Sequence, residues 1–182
     1  MEDNMANTLM QSLEDLKKNY GEQLTNKTAA QNQNYNAGIM PYNTAIQGAD
    51  KAYQPKMNDV YSQTALSRRA LAERMANMGM GAGGGTSQRA TTDLSNAFLG
   101  GIKGVGLEKQ GFIDTQNNAI SQAAAQNQAG IANLTAENTA GYQQALDTLK
   151  AQNRQTLLSM LLAKRISMKN YNSYLNDINN FA

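Results

Sequence analysis

The feature that most constrains the fold is a shortage of large apolar side chains in a sequence with helical spacing. The 182 residues include three Phe and no Trp, but 26 Ala, 22 Asn and 17 Gln. A compact domain of this length buries roughly 70% of its unfolded surface, which requires bulky side chains. Alanine lets helices approach closely, and amide side chains solvate their outer faces. We therefore predict thin seams between long helices.

An N-terminal amphipathic helix is predicted over residues 1–27. Apolar residues recur there at helical steps of three or four: Met5, Leu9, Leu13, Leu16, Tyr20 and Leu24. This spacing places them on one face of a helix. Residues 28–55 are then punctuated by Gly38, Pro41, Gly48 and Pro55. We predict an extended or loop linker there, with a short helix around 42–52.

A second helix is predicted over residues 56–78, because Pro55 suits a helix start and Gly79 a helix stop. Residues 79–86 then form a Gly-rich hinge, whose glycines are Gly79, Gly81, Gly83, Gly84 and Gly85. The remaining residues, 87–182, form a long helical region with a Gly-rich break near 100–111. Each glycine costs about 1 kcal/mol relative to alanine in a helix interior, which favours the break. The alternative is that these glycines stay helical and let another backbone approach closely.

The apolar stripe of this last region needs a partner, since a lone long helix cannot bury its stripe against itself. Its spacing lies between a heptad and an 11-residue repeat, which predicts weak or slightly right-handed supercoiling. We expect four residues to face the partner: Leu134, Leu149, Leu157 and Met160. The predicted fold class is all-α, an elongated helical hairpin or bundle with long helices and a Gly-rich hinge, assembled as an oligomer.

The residue types argue against catalysis. The chain has no His and no Cys, which removes the usual general base, the thiol nucleophile and most metal ligands. Gly79, Gly81 and Gly84 match the spacing of a dinucleotide fingerprint, but a helical pattern precedes them where a strand is required. We predict no enzyme activity, no catalytic residues, no cofactor and no metal.

A modest basic cluster lies near the C-terminus at Lys164, Arg165 and Lys169. One interpretation is a solvated last helical turn, where cations interact favourably with the helix dipole. The other is contact with DNA phosphate or with a lipid surface. The net charge of +2 does not decide between them.

The layout of residues 57–155 resembles that of internal or minor virion structural proteins of tailed bacteriophages, including ejection-type proteins. The resemblance rests on an Arg- and Leu-containing helix, residues 66–79, a Gly-rich knot, residues 81–87, and a long amide-rich helix, residues 120–155. It carries over no catalytic residues.

The resemblance implies a virion component inside the particle or at the portal or tail, present in the host cytoplasm during assembly. Its partners would be copies of itself and other virion proteins such as portal or tail proteins, and it would assist genome ejection. DNA contact would be non-specific, and a membrane contact is expected, if at all, only during ejection. The alternative is a helical adaptor or scaffold that binds one partner protein outside any particle.

Overall fold

The chain is almost entirely α-helical. The structure, a computed structural model, describes residues 2–79, 85–163 and 165–181, with side chains from residue 7 onward. Of the described residues, 96% are helical and none lies in a strand. The three helices are α1 (Glu2–Asn77), α2 (Gly85–Leu162) and α3 (Met168–Asn180). The predicted all-α hairpin or bundle with long helices is confirmed.

α1 runs without interruption through residues 28–55, so the predicted extended or loop linker is wrong. Pro41 and Pro55 both lie inside the helix. A proline in a helix interior costs about 3 kcal/mol, because it removes one hydrogen bond and crowds the preceding turn. Burial continues across this segment at helical spacing, and Ala49 is only 2% exposed. Packing against α2 therefore outweighs the local preference of Gly and Pro.

α2 is likewise continuous through residues 100–111, so the predicted Gly-rich break is wrong. Packing anchors the helix on both sides of its glycines. The ring of Phe98 lies 5.5 Å from that of Tyr61, Val105 is buried, and the ring of Phe112 lies 6.1 Å from that of Tyr53. These contacts fix the helical course where glycine alone would permit a bend.

Burial along both long helices follows an 11-residue repeat. On α2 the repeat positions are all at least partly buried: Leu94, Val105, Gln116, Asn127, Asn138, Leu149 and Met160. On α1 they are Leu9, Tyr20, Gln31, Tyr42, Tyr53, Thr64 and Met75, of which only Tyr42 is exposed. Eleven residues in three turns give 3.67 residues per turn, close to the natural value of an α-helix. Within each unit, one face of each long helix can therefore stay on the partner helix.

The chain divides into two compact units, residues 1–35 with 125–182 and residues 36–124. In the first unit α3 packs on the start of α1 and the end of α2. Its core is the cluster Leu13, Leu146, Leu157, Met160, Ile166 and Ile178. In the second unit the two long helices pack as an antiparallel pair. Its buried hydrophobic residues are Ala49 and Val105.

α3 is held at both ends. The Ser167 hydroxyl caps its N-terminus by accepting a hydrogen bond from the amide of Asn170 at 3.2 Å. At the other end Lys150 Nζ donates to the carbonyl of Phe181 at 2.6 Å. Ile166 and Ile178, one before the helix and one within it, are 4% and 1% exposed. These contacts complete the core of the first unit.

Candidate interaction surfaces

The two long helices meet in the same register in each unit. In the second unit Gly101 lies against Val60, and in the first unit Gly130 lies against Gln31 and Gly141 against Tyr20. In every pair the two residues are equally distant in sequence from the midpoint between residues 80 and 81.

Three glycines on α2 permit this close approach. A Cβ added at Gly101 would lie 2.9 Å from Val60 Cγ1, and one at Gly130 would lie 2.7 Å from Gln31 Nε2. At Gly141 the nearest atom would be Tyr20 Cε1 at 3.3 Å. A contact below about 3.4 Å requires the neighbour to move. The branched Val60 side chain has little freedom to do so, so Gly101 favours glycine for space, whereas the flexible end of Gln31 beside Gly130 can move aside. Among the glycines of residues 100–111, Gly101 alone has a neighbour within 4 Å of an added Cβ, and that neighbour is the side chain of Val60. Close approach of another backbone stays a prediction.

Asparagines on α2 bind across the seam to α1. Asn138 Nδ2 donates to the carbonyl of Tyr20 at 3.2 Å, and Asn153 Nδ2 donates to the carbonyl of Leu9 at 3.3 Å. Asn153 is 4% exposed. A buried amide with one partner selects a single register, because any slip leaves it unpaired. Asn127, eleven residues before Asn138, also donates across the seam, from Nδ2 to Asn32 Oδ1 at 3.0 Å. The sequence predictions missed this role, although the 11-residue spacing was a signal.

In the second unit, ion pairs flank the seam. Lys56 pairs with Glu108, and Lys109 pairs with Asp50. The hydrogen bond to Glu108 raises the pKa of Lys56 above its usual value. Three of these four side chains are more than half exposed, so each pair adds little stability.

The four residues predicted to face a partner lie on the seam of their own chain. Leu157 and Met160 belong to the buried cluster of the first unit, and Leu149 packs against it. Leu134 is half-buried. The partner of this stripe within the chain is α1, with α3 covering its end. Contact of these four residues with another copy stays a prediction.

Of the predicted hinge glycines, Gly79 and Gly85 are described, whereas Gly81, Gly83 and Gly84 lie outside the described residues. Gly79 has φ +63°, the left-handed conformation that glycine adopts without strain. Its amide donates to the carbonyl of Ala76 at 3.1 Å, just after the last helical residue, Asn77. α2 begins at Gly85. Hinge motion itself stays a prediction.

Arg165 and Lys169 do not lie in a last helical turn, so that interpretation is wrong for these two residues. α2 ends at Leu162, before Arg165, and Lys169 lies in the first turn of α3. Both side chains are exposed. Lys164 lies outside the described residues. The dipole of α2 therefore does not explain these charges.

Large apolar side chains are unusually exposed. Eight hydrophobic residues of the described part are buried, whereas ten large ones are exposed: Met40, Tyr42, Tyr61, Leu66, Met78, Leu99, Leu107, Leu158, Leu162 and Met168. Four glycines of α2 also face open space, since an added Cβ would meet nothing within 4 Å: Gly100, Gly104, Gly106 and Gly111. The packing of the chain itself does not account for these residues.

Among the described residues, no group of three or more His, Cys, Asp or Glu side chains is arranged to hold a metal ion. Within the same part of the chain, no helix combines the length and apolar character needed to cross a bilayer. Comparison with known proteins finds no matching family model, curated protein or solved structure.

Proposed function

We propose that this chain is a non-enzymatic structural component of a tailed-bacteriophage virion, assembled from helical copies of itself. It acts inside the particle or at the portal or tail and assists genome ejection, as its sequence resemblance implies. The observation that carries the assembly is the set of ten large apolar side chains that the described part of the chain leaves exposed. Association of copies removes such side chains from water, which is favourable.

The outer face of α2 in the second unit is where we place contact between copies. Gly100, Gly104, Leu107 and Gly111 follow one another at steps of four, three and four, so they share one face of the helix. We call these four residues the glycine face. Leu107 is 64% exposed, and the three glycines have open space beside them.

The glycine face suits a second helix. Each glycine in a helix interior costs about 1 kcal/mol relative to alanine, and these three relieve no crowding within the chain. A helix of another copy approaching this face would gain close backbone contact, with Leu107 as the apolar anchor. The cost in helix stability is then offset in the assembly.

Light scattering of the purified full chain across a concentration series tests self-assembly. We expect a concentration-dependent increase in mass, lost on Leu107→Gln and weakened on Gly104→Ala. Met40→Gln is the matched control, because Met40 is equally exposed, at 65%, but lies on α1. A chain that stays monomeric at every concentration would overturn the proposal of assembly.

The virion assignment needs its own measurement. Mass spectrometry of purified particles from a host that carries this gene should find the chain at a fixed ratio to the portal protein. Its absence from particles, together with specific capture of one partner protein, would instead support an adaptor or scaffold.

A further inference from the structure

The turn between α2 and α3 carries both exposed apolar side chains and exposed cations. Leu158 and Leu162 lie one turn apart on α2 and are 46% and 76% exposed. Met168, the first residue of α3, is 60% exposed. Arg165 lies between Leu162 and Met168 in the sequence, and Lys169 follows Met168. Both basic side chains are exposed. We call these five residues the basic end.

This turn is held in place by the fold. The amide of Arg165 donates to the carbonyl of Met160 at 2.9 Å, which closes the turn after α2. Ile166 is buried in the core, and Ser167 caps α3. Arg165, Met168 and Lys169 therefore lie beside residues that the core and the helix cap hold in place.

Positive charge is concentrated in this stretch of the sequence. Residues 148–176 contain five basic residues and no acidic one, which leaves eleven basic against fourteen acidic residues elsewhere. Among the described residues, no ion pair neutralises this stretch. Lys150 and Arg154 donate instead to uncharged oxygens, the Phe181 carbonyl and the Asn179 side chain.

We propose that the basic end docks on an anionic lipid surface. Cations beside exposed Leu and Met side chains are what an interfacial site requires, since the charges attract acidic headgroups and the apolar groups enter the acyl boundary. A nucleic acid would use the cations but would leave Leu162 exposed. A second copy meeting the same face would oppose like charges. The contact is peripheral and is independent of the proposed assembly.

Co-sedimentation with vesicles tests the inference. The full chain, at a concentration where light scattering shows monomer, is mixed with vesicles of phosphatidylcholine alone or with added phosphatidylglycerol. We expect binding only to the anionic vesicles. The double variant Arg165→Gln with Lys169→Gln should weaken it about 30-fold, from the contribution of each basic side chain near an anionic surface. Leu162→Gln should weaken it about tenfold.

Two matched controls locate the site. Arg68→Gln with Arg69→Gln removes the same charge from an exposed pair on α1, and Met40→Gln removes an exposed apolar side chain far from any charge in sequence. Both should bind vesicles as the unaltered chain does. Circular dichroism confirms that every variant is folded.

Three results would overturn the inference. The first is no binding to anionic vesicles, and the second is an equal loss in the control variants. The third is binding to duplex DNA that is weakened by the Arg165→Gln and Lys169→Gln variant as vesicle binding is, while Leu162→Gln alters neither DNA binding nor vesicle binding. That result would identify the basic end as a nucleic-acid contact.

Discussion

Glycine-to-alanine substitutions along α2 should separate positions that glycine occupies for space from positions where it only weakens the helix. Alanine is favoured over glycine in a helix interior by about 1 kcal/mol. At Gly104 an added Cβ meets nothing within 4 Å. Gly104→Ala should therefore raise the free energy of unfolding by about 1 kcal/mol and the melting temperature by about 2–4 °C.

Gly101 should respond in the opposite direction. An added Cβ would lie 2.9 Å from Val60 Cγ1 and 3.4 Å from Val60 Cγ2. Overpacking of this kind costs about 1–3 kcal/mol, which equals or exceeds the gain in helix propensity. Gly101→Ala should leave the free energy of unfolding unchanged or lower it by up to about 2 kcal/mol.

The neighbouring atom decides the intermediate cases. At Gly130 the close atom is Gln31 Nε2, the end of a flexible side chain that can move aside. Gly130→Ala should therefore stabilise almost as much as Gly104→Ala. At Gly141 the close atom belongs to the ring of Tyr20, which also makes an edge contact with Tyr142 at 5.8 Å. Gly141→Ala should fall between the other variants.

The assay is urea denaturation followed by circular dichroism at 222 nm, at a concentration where the chain is monomeric. A double-mutant cycle of Gly101→Ala with Val60→Ala isolates the contact, because Val60→Ala removes both crowding methyl groups. We expect a favourable coupling of about 1–3 kcal/mol. Equal stabilisation by Gly101→Ala and Gly104→Ala, without coupling to Val60, would refute the close approach of α1 and α2.

Three further substitutions test the core and the seam by the same denaturation measurement. Leu157→Asp should destabilise the first unit by at least about 4 kcal/mol, because Leu157 is fully buried and the new carboxylate has no partner; an unchanged melting curve would contradict its burial. Tyr142→Phe should stabilise by about 1 kcal/mol, because its hydroxyl is buried and, among the described residues, has no hydrogen-bond partner; a loss of stability would mean that the hydroxyl is bonded. Asn153→Ala should cost about 0.5–1.5 kcal/mol, because it removes the hydrogen bond to the carbonyl of Leu9, which still accepts from the Ser12 hydroxyl, and a neutral result would show that the bond does not select the register.

Local chemistry was enough to predict the helical class and the end of α1. Alanine, glutamine and leucine at steps of three and four favour helix wherever they occur, and this preference needs no distant contact. The stop near Gly79 is local as well, because a left-handed residue after a helix is most easily glycine. The helical class and the stop of α1 near Gly79 follow from these preferences alone.

The tertiary structure decided the continuity of the helices and the partner of the stripe. Pro41, Pro55 and the glycines of residues 100–111 predict interruptions when only local preference is counted. Each costs about 1–3 kcal/mol, which packing along an uninterrupted 11-residue repeat outweighs. The spacing of Leu149 and Leu157 shows that their apolar stripe requires a partner surface. A helix of another copy or another part of the same chain would satisfy that requirement equally. Bonds such as that from Asn153 to the carbonyl of Leu9, 144 residues away in sequence, determine that α1 of the same chain fills this role.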